Sequence, residues 1–214
     1  MPTKKIFKFF EFIARMGSML RWSLMRNVKQ EDLKQHSYDV AVIAHALAVI
    51  RYEFFPAQEQ LDPNLAVTYA LFHDTAEVFT GDIPTPIKQF GGGMVKDIAD
   101  HLEKMAVNKL IMSLPDELRR PYRDVFEIPE EYRGVIKAAD RLSALKKCRE
   151  EIAAGNNEFI PAAARLEESL NASNLPEVAY FMENFMPQRP MSLDELIEGN
   201  GAWLLDDQKG EGGI

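Results

Sequence analysis

Val135-Ile136-Lys137-Ala138-Ala139-Asp140-Arg141-Leu142-Ser143-Ala144-Leu145-Lys146-Lys147-Cys148-Arg149-Glu150-Glu151-Ile152 sets apolar side chains at 135, 139, 142, 145, 148 and 152. That alternation of threes and fours marks one face of an α-helix. Pro129 supplies a start for this helix and Gly155 a stop. Asp140 stands beside the stripe, in largely apolar sequence where a carboxylate is costly unless it is paired or metal-bound. An ion pair with Lys137 or Arg141 is the ordinary way to satisfy it.

The same spacing recurs along nearly the whole chain, and no run shows the alternation of a strand, so the expected fold is all-α. A first helix carries Phe9, Phe10 and Ile13 toward the core, and the Leu20–Asp32 connection leads to a helix from His36 to Phe54 with Val40, Ile43, Leu47 and Ile50 on one stripe. Asp62-Pro63 is an N-cap and first-turn pair. It opens a helix through Leu65, Tyr69, Phe72 and Ala76 that ends before Gly81, with His73 and Asp74 in its last turns. Gly81-Asp82-Ile83-Pro84-Thr85-Pro86 is a stiff loop, because its prolines remove donors and extend the residues before them. Further helices are expected over 94–114, 116–126, 158–171 and 176–186. At 214 residues and 46% hydrophobic content, a single domain over 1–198 is the economical reading. The Gly- and Asp-rich tail 199–214 has too little to bury and is expected to be disordered.

A formal charge of −8 argues against a nucleic-acid polymer as main partner, since backbone phosphates require a basic face. A phosphate recognised here should be small. The single cysteine, Cys148, has no partner in the chain and fits a reducing compartment, so a cytoplasmic location is expected. No uninterrupted apolar run reaches the roughly 18 residues a bilayer requires, and Lys8, Glu11 and Arg15 interrupt the greasy N-terminal stretch as a signal sequence.

The chemistry concentrates at His73-Asp74, with Glu77 one turn further on. Neighbouring helical residues point about 100° apart, so both reach one ion only at the helix flank, with other elements completing the shell. His36 and Asp140 can complete it. Two imidazoles and two carboxylates suit Mn, Fe, Co, Ni or Zn better than Ca or Mg. His45 lies nine residues from His36, roughly on the opposite face of the same helix, and is expected to be a core or surface histidine.

His36, His73-Asp74 and Asp140 along an all-α chain resemble the signature of the HD-domain phosphohydrolase superfamily. The match goes further. Arg21-Trp22-Ser23-Leu24-Met25-Arg26-Asn27-Val28, the stretch from His73 through Glu77-Val78-Phe79-Thr80-Gly81-Asp82-Ile83-Pro84-Thr85-Pro86 to Lys88, and Ala153-Ala154-Gly155-Asn156-Asn157-Glu158-Phe159 are similar to the bacterial HD-domain 5′-deoxynucleotidases. The resemblance covers roughly Phe9 to Asp194. It implies divalent-metal-dependent hydrolysis of deoxyribonucleoside 5′-monophosphates by a homodimer that engages neither membrane nor nucleic-acid polymer. It also implies that His36, His73, Asp74 and Asp140 hold the metal, that Glu77 is the acid/base with Asp82 beside it, and that Arg21 and Trp22 line the pocket. Thr85 and Lys88 are further candidates for substrate contact. A rigid indole at Trp22 could close the space beside the sugar C2′ and so favour deoxy substrates. Gln35 departs from the family, where a Glu often precedes the first metal histidine. The competing functions are an HD-type phosphodiesterase or alarmone hydrolase, which would need recognition elements or further metal histidines beyond His45 and His101, and an inactive nucleotide-binding module, against which Glu77 and Asp82 both count.

Overall fold

The computed structural model describes residues 6–84, 87 and 93–198. Within these the chain is helical, and the only extended pairing is an isolated bridge between Leu20 and Asp32.

The helices are α1 (Phe9–Arg15), α2 (Leu33–Phe54), α3 (Pro63–Phe72), α4 (Glu77–Thr80), α5 (Gly93–Met112), α6 (Asp116–Phe126), α7 (Glu130–Ala153), α8 (Ile160–Asn171), α9 (Pro176–Phe185) and α10 (Leu193–Glu198). Their ends follow local chemistry. Asp32 caps α2 by accepting from the backbone N–H groups of Lys34 and Gln35 at 2.8 and 3.0 Å, so this helix starts ahead of His36. Asp62 caps α3 through the Asn64 N–H at 2.8 Å, with Pro63 in the first turn. Gly155, at φ +87°, follows the end of α7.

The main core joins α2, α3, α7, α8 and α9. Val40, Leu47, Ala66, Ala70, Val135, Ala139, Leu142, Leu145 and Cys148 are fully buried there, as the stripe in α7 requires. A smaller cluster forms where Phe9, Leu110 and Leu114 meet Phe12, Ile13, Phe72, Val78, Tyr122 and Phe126. Phe10 is 63% exposed rather than packed in the core. Phe9, Phe10, Phe12 and Ile13 spread around α1, and periodicity alone cannot choose which of the adjacent phenylalanines turns inward.

The helix expected to run through Ala76 stops at Phe72. His73–Ala76 form a tightened turn in which Thr75 N–H bonds Phe72 O, Glu77 N–H bonds Asp74 O and Val78 N–H bonds Thr75 O. Each bond spans three residues instead of four. The rotation per residue rises toward 120°, which aligns Asp74 and Glu77. The turn joins the two apolar clusters, since Ala66 and Ala70 belong to the larger and Phe72 and Val78 to the smaller. Thr85, Lys88 and the 199–214 tail lie outside the described residues.

Candidate metal centre

His36 enters from the first turns of α2, His73 and Asp74 from the tightened turn after α3, and Asp140 from the middle of α7. The donor atoms of His36, His73 and Asp74 lie within 4.8 Å of one another. Asp140 joins them, with its Oδ1 3.0 Å from His36 Nε2, while Asp74 Oδ2 stands 3.6 Å from His36 Nε2 and 3.0 Å from His73 Nε2. His36 is fully buried, yet neither its Nε2 nor that of His73 has a hydrogen-bond partner. Buried ring nitrogens aimed at carboxylates without an aligned hydrogen bond fit a shared cation, and the set of two nitrogens and two oxygens suits a transition ion.

The far side of each imidazole decides whether Nε2 can ligate. His73 Nδ1 donates to Ala70 O at 2.6 Å, which leaves the Nε2 lone pair facing inward. His36 Nδ1 has two neighbours, Ser143 Oγ at 3.1 Å and Arg21 Nη1 at 2.8 Å. An arginine nitrogen only donates, so pairing with it would put the ring proton on Nε2 and close that atom to a metal. The Ser143 hydroxyl can accept from Nδ1, and only that arrangement frees Nε2.

The charges reinforce one another. Burial works against the imidazolium of His73, but the Asp74 carboxylate and then Asp140 raise its pKa to about 9. Burial also opposes ionisation of Asp74, which the charge of His73 holds well below the ordinary carboxylate range. Loss of solvation also opposes ionisation of Asp140, a half-buried side chain, but His36 beside it keeps its pKa lowered. A divalent ion would displace the proton held on His73.

Arg21 closes the site from the Leu20–Asp32 connection. Its Nη1 donates to Glu31 at 2.9 Å and its Nη2 stands 3.7 Å from Asp140. Asp140 thus faces Arg21, and among the described residues neither Lys137 nor Arg141 forms the ion pair that was the ordinary alternative to a metal for it. Burial lowers the Arg21 pKa, but Glu31, Asp140, Asp74 and Asp82 together raise it. The same Glu31 oxygen accepts from Trp22 Nε1 at 3.0 Å, and the indole lies 5.2 Å from the Phe159 ring. Trp22 takes a left-handed φ of 59° and packs against the main core, apart from the cleft beside the metal residues.

That cleft has a volume of about 590 Å³. His73, Asp74, Glu77 and Thr80 line one side, Lys96, Asp100 and Glu103 of α5 the other, and Lys137 of α7 its end. Glu77 lies one turn from Asp74, and Asp82 follows Gly81, whose φ of +74° ends α4. Gln35 sits at a separate cavity with Lys34 and Tyr38, so it does not orient His36. Sequence reasoning missed Ser143, Lys137 and Lys96. The first two lie three residues either side of Asp140, so a polar row at i, i+3, i+6 was there to be read.

The family model for YfbR-like 5′-deoxynucleotidases matches residues 8–189. A 5′-deoxynucleotidase of Erwinia tasmaniensis is 43% identical over 193 residues, covering 89% of this chain and 96% of the relative. An HD-domain phosphohydrolase of Listeria innocua has a similar structure, with a TM-score of 0.72 at 20% identity over 92% of both chains. A cyanophage S-2L HD phosphohydrolase, solved with dA and one catalytic Zn²⁺, has a TM-score of 0.57 at 18% identity and covers 86% of this chain and 98% of its own. At these identities the two structures show a shared fold, and the bound dA and Zn²⁺ are the cyanophage protein's own.

Proposed function

The chain belongs to the YfbR-like 5′-deoxynucleotidase family, and from that premise we propose how its residues divide the work of releasing phosphate from deoxyribonucleoside 5′-monophosphates. The observation that carries the reading is the convergence of His36, His73, Asp74 and Asp140, with both Nε2 atoms lacking a hydrogen bond and Glu77 one turn away. These four residues would hold a divalent transition ion, which when bound would act as a Lewis acid on phosphoryl oxygens and make water nucleophilic near neutral pH. The Zn²⁺ in the cyanophage neighbour supports zinc among Mn, Fe, Co, Ni and Zn.

Glu77 takes a proton from water as the water oxygen attacks phosphorus. It returns that proton to the 5′-oxygen as the P–O bond breaks. Arg21, with Nη1 held by Glu31, offers Nη2 to the phosphate, and Asp82 acts on that cation from the following loop. Trp22 is assigned to the deoxyribose on resemblance alone; it packs on the core 5.9 Å from the Arg21 guanidinium, off the cleft wall. Thr85 and Lys88 stay assigned to the substrate on resemblance alone. The enzyme works as a cytoplasmic homodimer. The buried free thiol of Cys148 supports the first, and the exposed row Tyr38, Val42 and Tyr52 along α2 supports the second. The dA in the cyanophage neighbour supports a deoxynucleoside product.

Phosphate release from dAMP and AMP, with metal content measured in parallel, tests the assignment. Asp140→Ala should lose the ion and activity together, whereas Glu77→Ala should keep the ion while turnover falls by about 10²–10⁴-fold. Stoichiometric metal with full activity in Asp140→Ala would overturn the ligand set, and equal rates on dAMP and AMP would overturn the deoxy preference.

A further inference from the structure

The cleft that receives the substrate is mostly acidic. Asp74, Glu77, Asp100 and Glu103 line it, and among the described residues on its wall the lysines are Lys96 and Lys137. A phosphate monoester carries close to two negative charges at neutral pH, so four carboxylates around it work against binding. Arg21 stands outside that wall, its Nη1 donating to Glu31 and its Nη2 facing Asp140. The ion and Arg21 Nη2 would have to balance the rest.

Lys137 is placed to share that load. It lies three residues before Asp140 on α7, so both side chains leave the same face of the helix one turn apart. Its side chain is exposed into the cleft, and among the described residues it makes no hydrogen bond or ion pair. The contrast with its helix neighbours is informative. Lys146 is tied to Asp39 and Lys147 to Glu151, so α7 commits those two lysines to structure. Lys96 reaches the same space from α5 across the cleft, also without a partner among the described residues.

We propose that Lys137 of α7 binds the substrate phosphate, with Lys96 of α5 as a second cation lining the same cleft. The inference rests on the 5′-deoxynucleotidase reading of the cleft. Lysine suits the task because its ammonium is a compact charge on a flexible stem that can follow a phosphate as it changes shape. Its charge opposes the carboxylates in the free enzyme and meets the anion only when substrate is present.

Inorganic phosphate binding by calorimetry to the metal-loaded protein, together with steady-state kinetics on dAMP, tests it in Lys137→Gln, Lys137→Arg and Lys96→Gln. Lys137→Gln should keep its metal and weaken both phosphate binding and kcat/KM by about 10- to 100-fold, the scale of one hydrogen bond to a charged group. Inhibition by deoxyadenosine, which lacks the phosphate, should change by less than about twofold, and Lys137→Arg should recover most of the loss. Lys96→Gln should show a smaller fall in the same two quantities. Unchanged phosphate binding in Lys137→Gln, an equal fall in Lys104→Gln outside the cleft, or loss of metal from Lys137→Gln would each overturn the proposal. If the wild type binds phosphate but does not hydrolyse dAMP, the nucleotidase reading fails while the phosphate site stands.

Discussion

Ser143 decides which tautomer His36 adopts. Its hydroxyl is the neighbour able to take a proton from Nδ1, while Arg21 at 2.8 Å favours the opposite tautomer. Ser143→Ala should therefore leave Arg21 as the sole partner and weaken metal binding by about 10- to 100-fold, the usual cost of losing a group that orients a ligand. Titration of the metal-free protein with Zn²⁺ reads this directly, and unchanged affinity would assign the orienting role elsewhere. At this scale the residues that converge, His36, His73, Asp74 and Asp140, were legible in the sequence because each is a charged or imidazole side chain in an apolar helical context. Ser143 and Lys137 show there only as the two neighbours of Asp140 in a polar row. Serine and lysine are unremarkable on a helix until the fold sets their face against His36 and the cleft.

Among the elements, α7 carries the site and secures the connection that brings Arg21 to it. Its polar row continues past Ser143 to Lys147 and Glu151, both buried. Glu151 accepts from the backbone N–H groups of Val28 and Lys29 at 2.8 and 3.0 Å and from Asn156 at 2.8 Å, while Lys147 bonds Glu151 and the Lys29 carbonyl. Burial raises the Glu151 pKa, but these donors, Lys147 first, bring it to about 2. A carboxylate whose folded pKa lies below its ordinary 4.5 stabilises the fold above that value, and the contribution is lost as pH falls from 4.5 toward 2. Glu151→Gln should lower Tm by roughly 3–10 °C at neutral pH. That gap should narrow across the same acidic window, and a gap independent of pH in thermal melts would rule the mechanism out. The sequence showed α7 and the capped start of α3 clearly, because stripes and caps are local signals. It did not show where α3 ends. The turn at His73–Ala76 keeps helical backbone angles while shortening its hydrogen bonds, and no residue in it marks the change.

Across the molecule, the turn that carries His73 and Asp74 joins two apolar clusters, while His36 and Asp140 come from α2 and α7 of the larger one. The all-α architecture was readable from periodicity, whereas the division of its core was not, since helical spacing reports that a face is apolar without saying what it meets. Ile98, Leu102 and Met105 illustrate this, since they follow the helical spacing of α5 and lie on its outer surface. The Leu20–Asp32 connection crosses this assembly without regular structure, yet it is fastened by the Leu20–Asp32 bridge, by Glu31 on Arg21 and Trp22, by Asn156 on the Arg26 carbonyl at 2.7 Å and by Glu151 on two amides. It also holds Arg21, Arg26 and Lys29, three peptide bonds that trypsin would sever in a loose chain. A protease needs a stretch of backbone drawn out into its own groove, and here that requires releasing α7 and α2 together. The native protein should therefore resist trypsin between 20 and 32 even though the Arg26 side chain is almost fully exposed. Glu151→Ala should be cut there at least about tenfold faster, as judged by mass spectrometry of the fragments. Equal cleavage rates would show that the connection opens by itself, in which case Arg21 would come and go with each turnover.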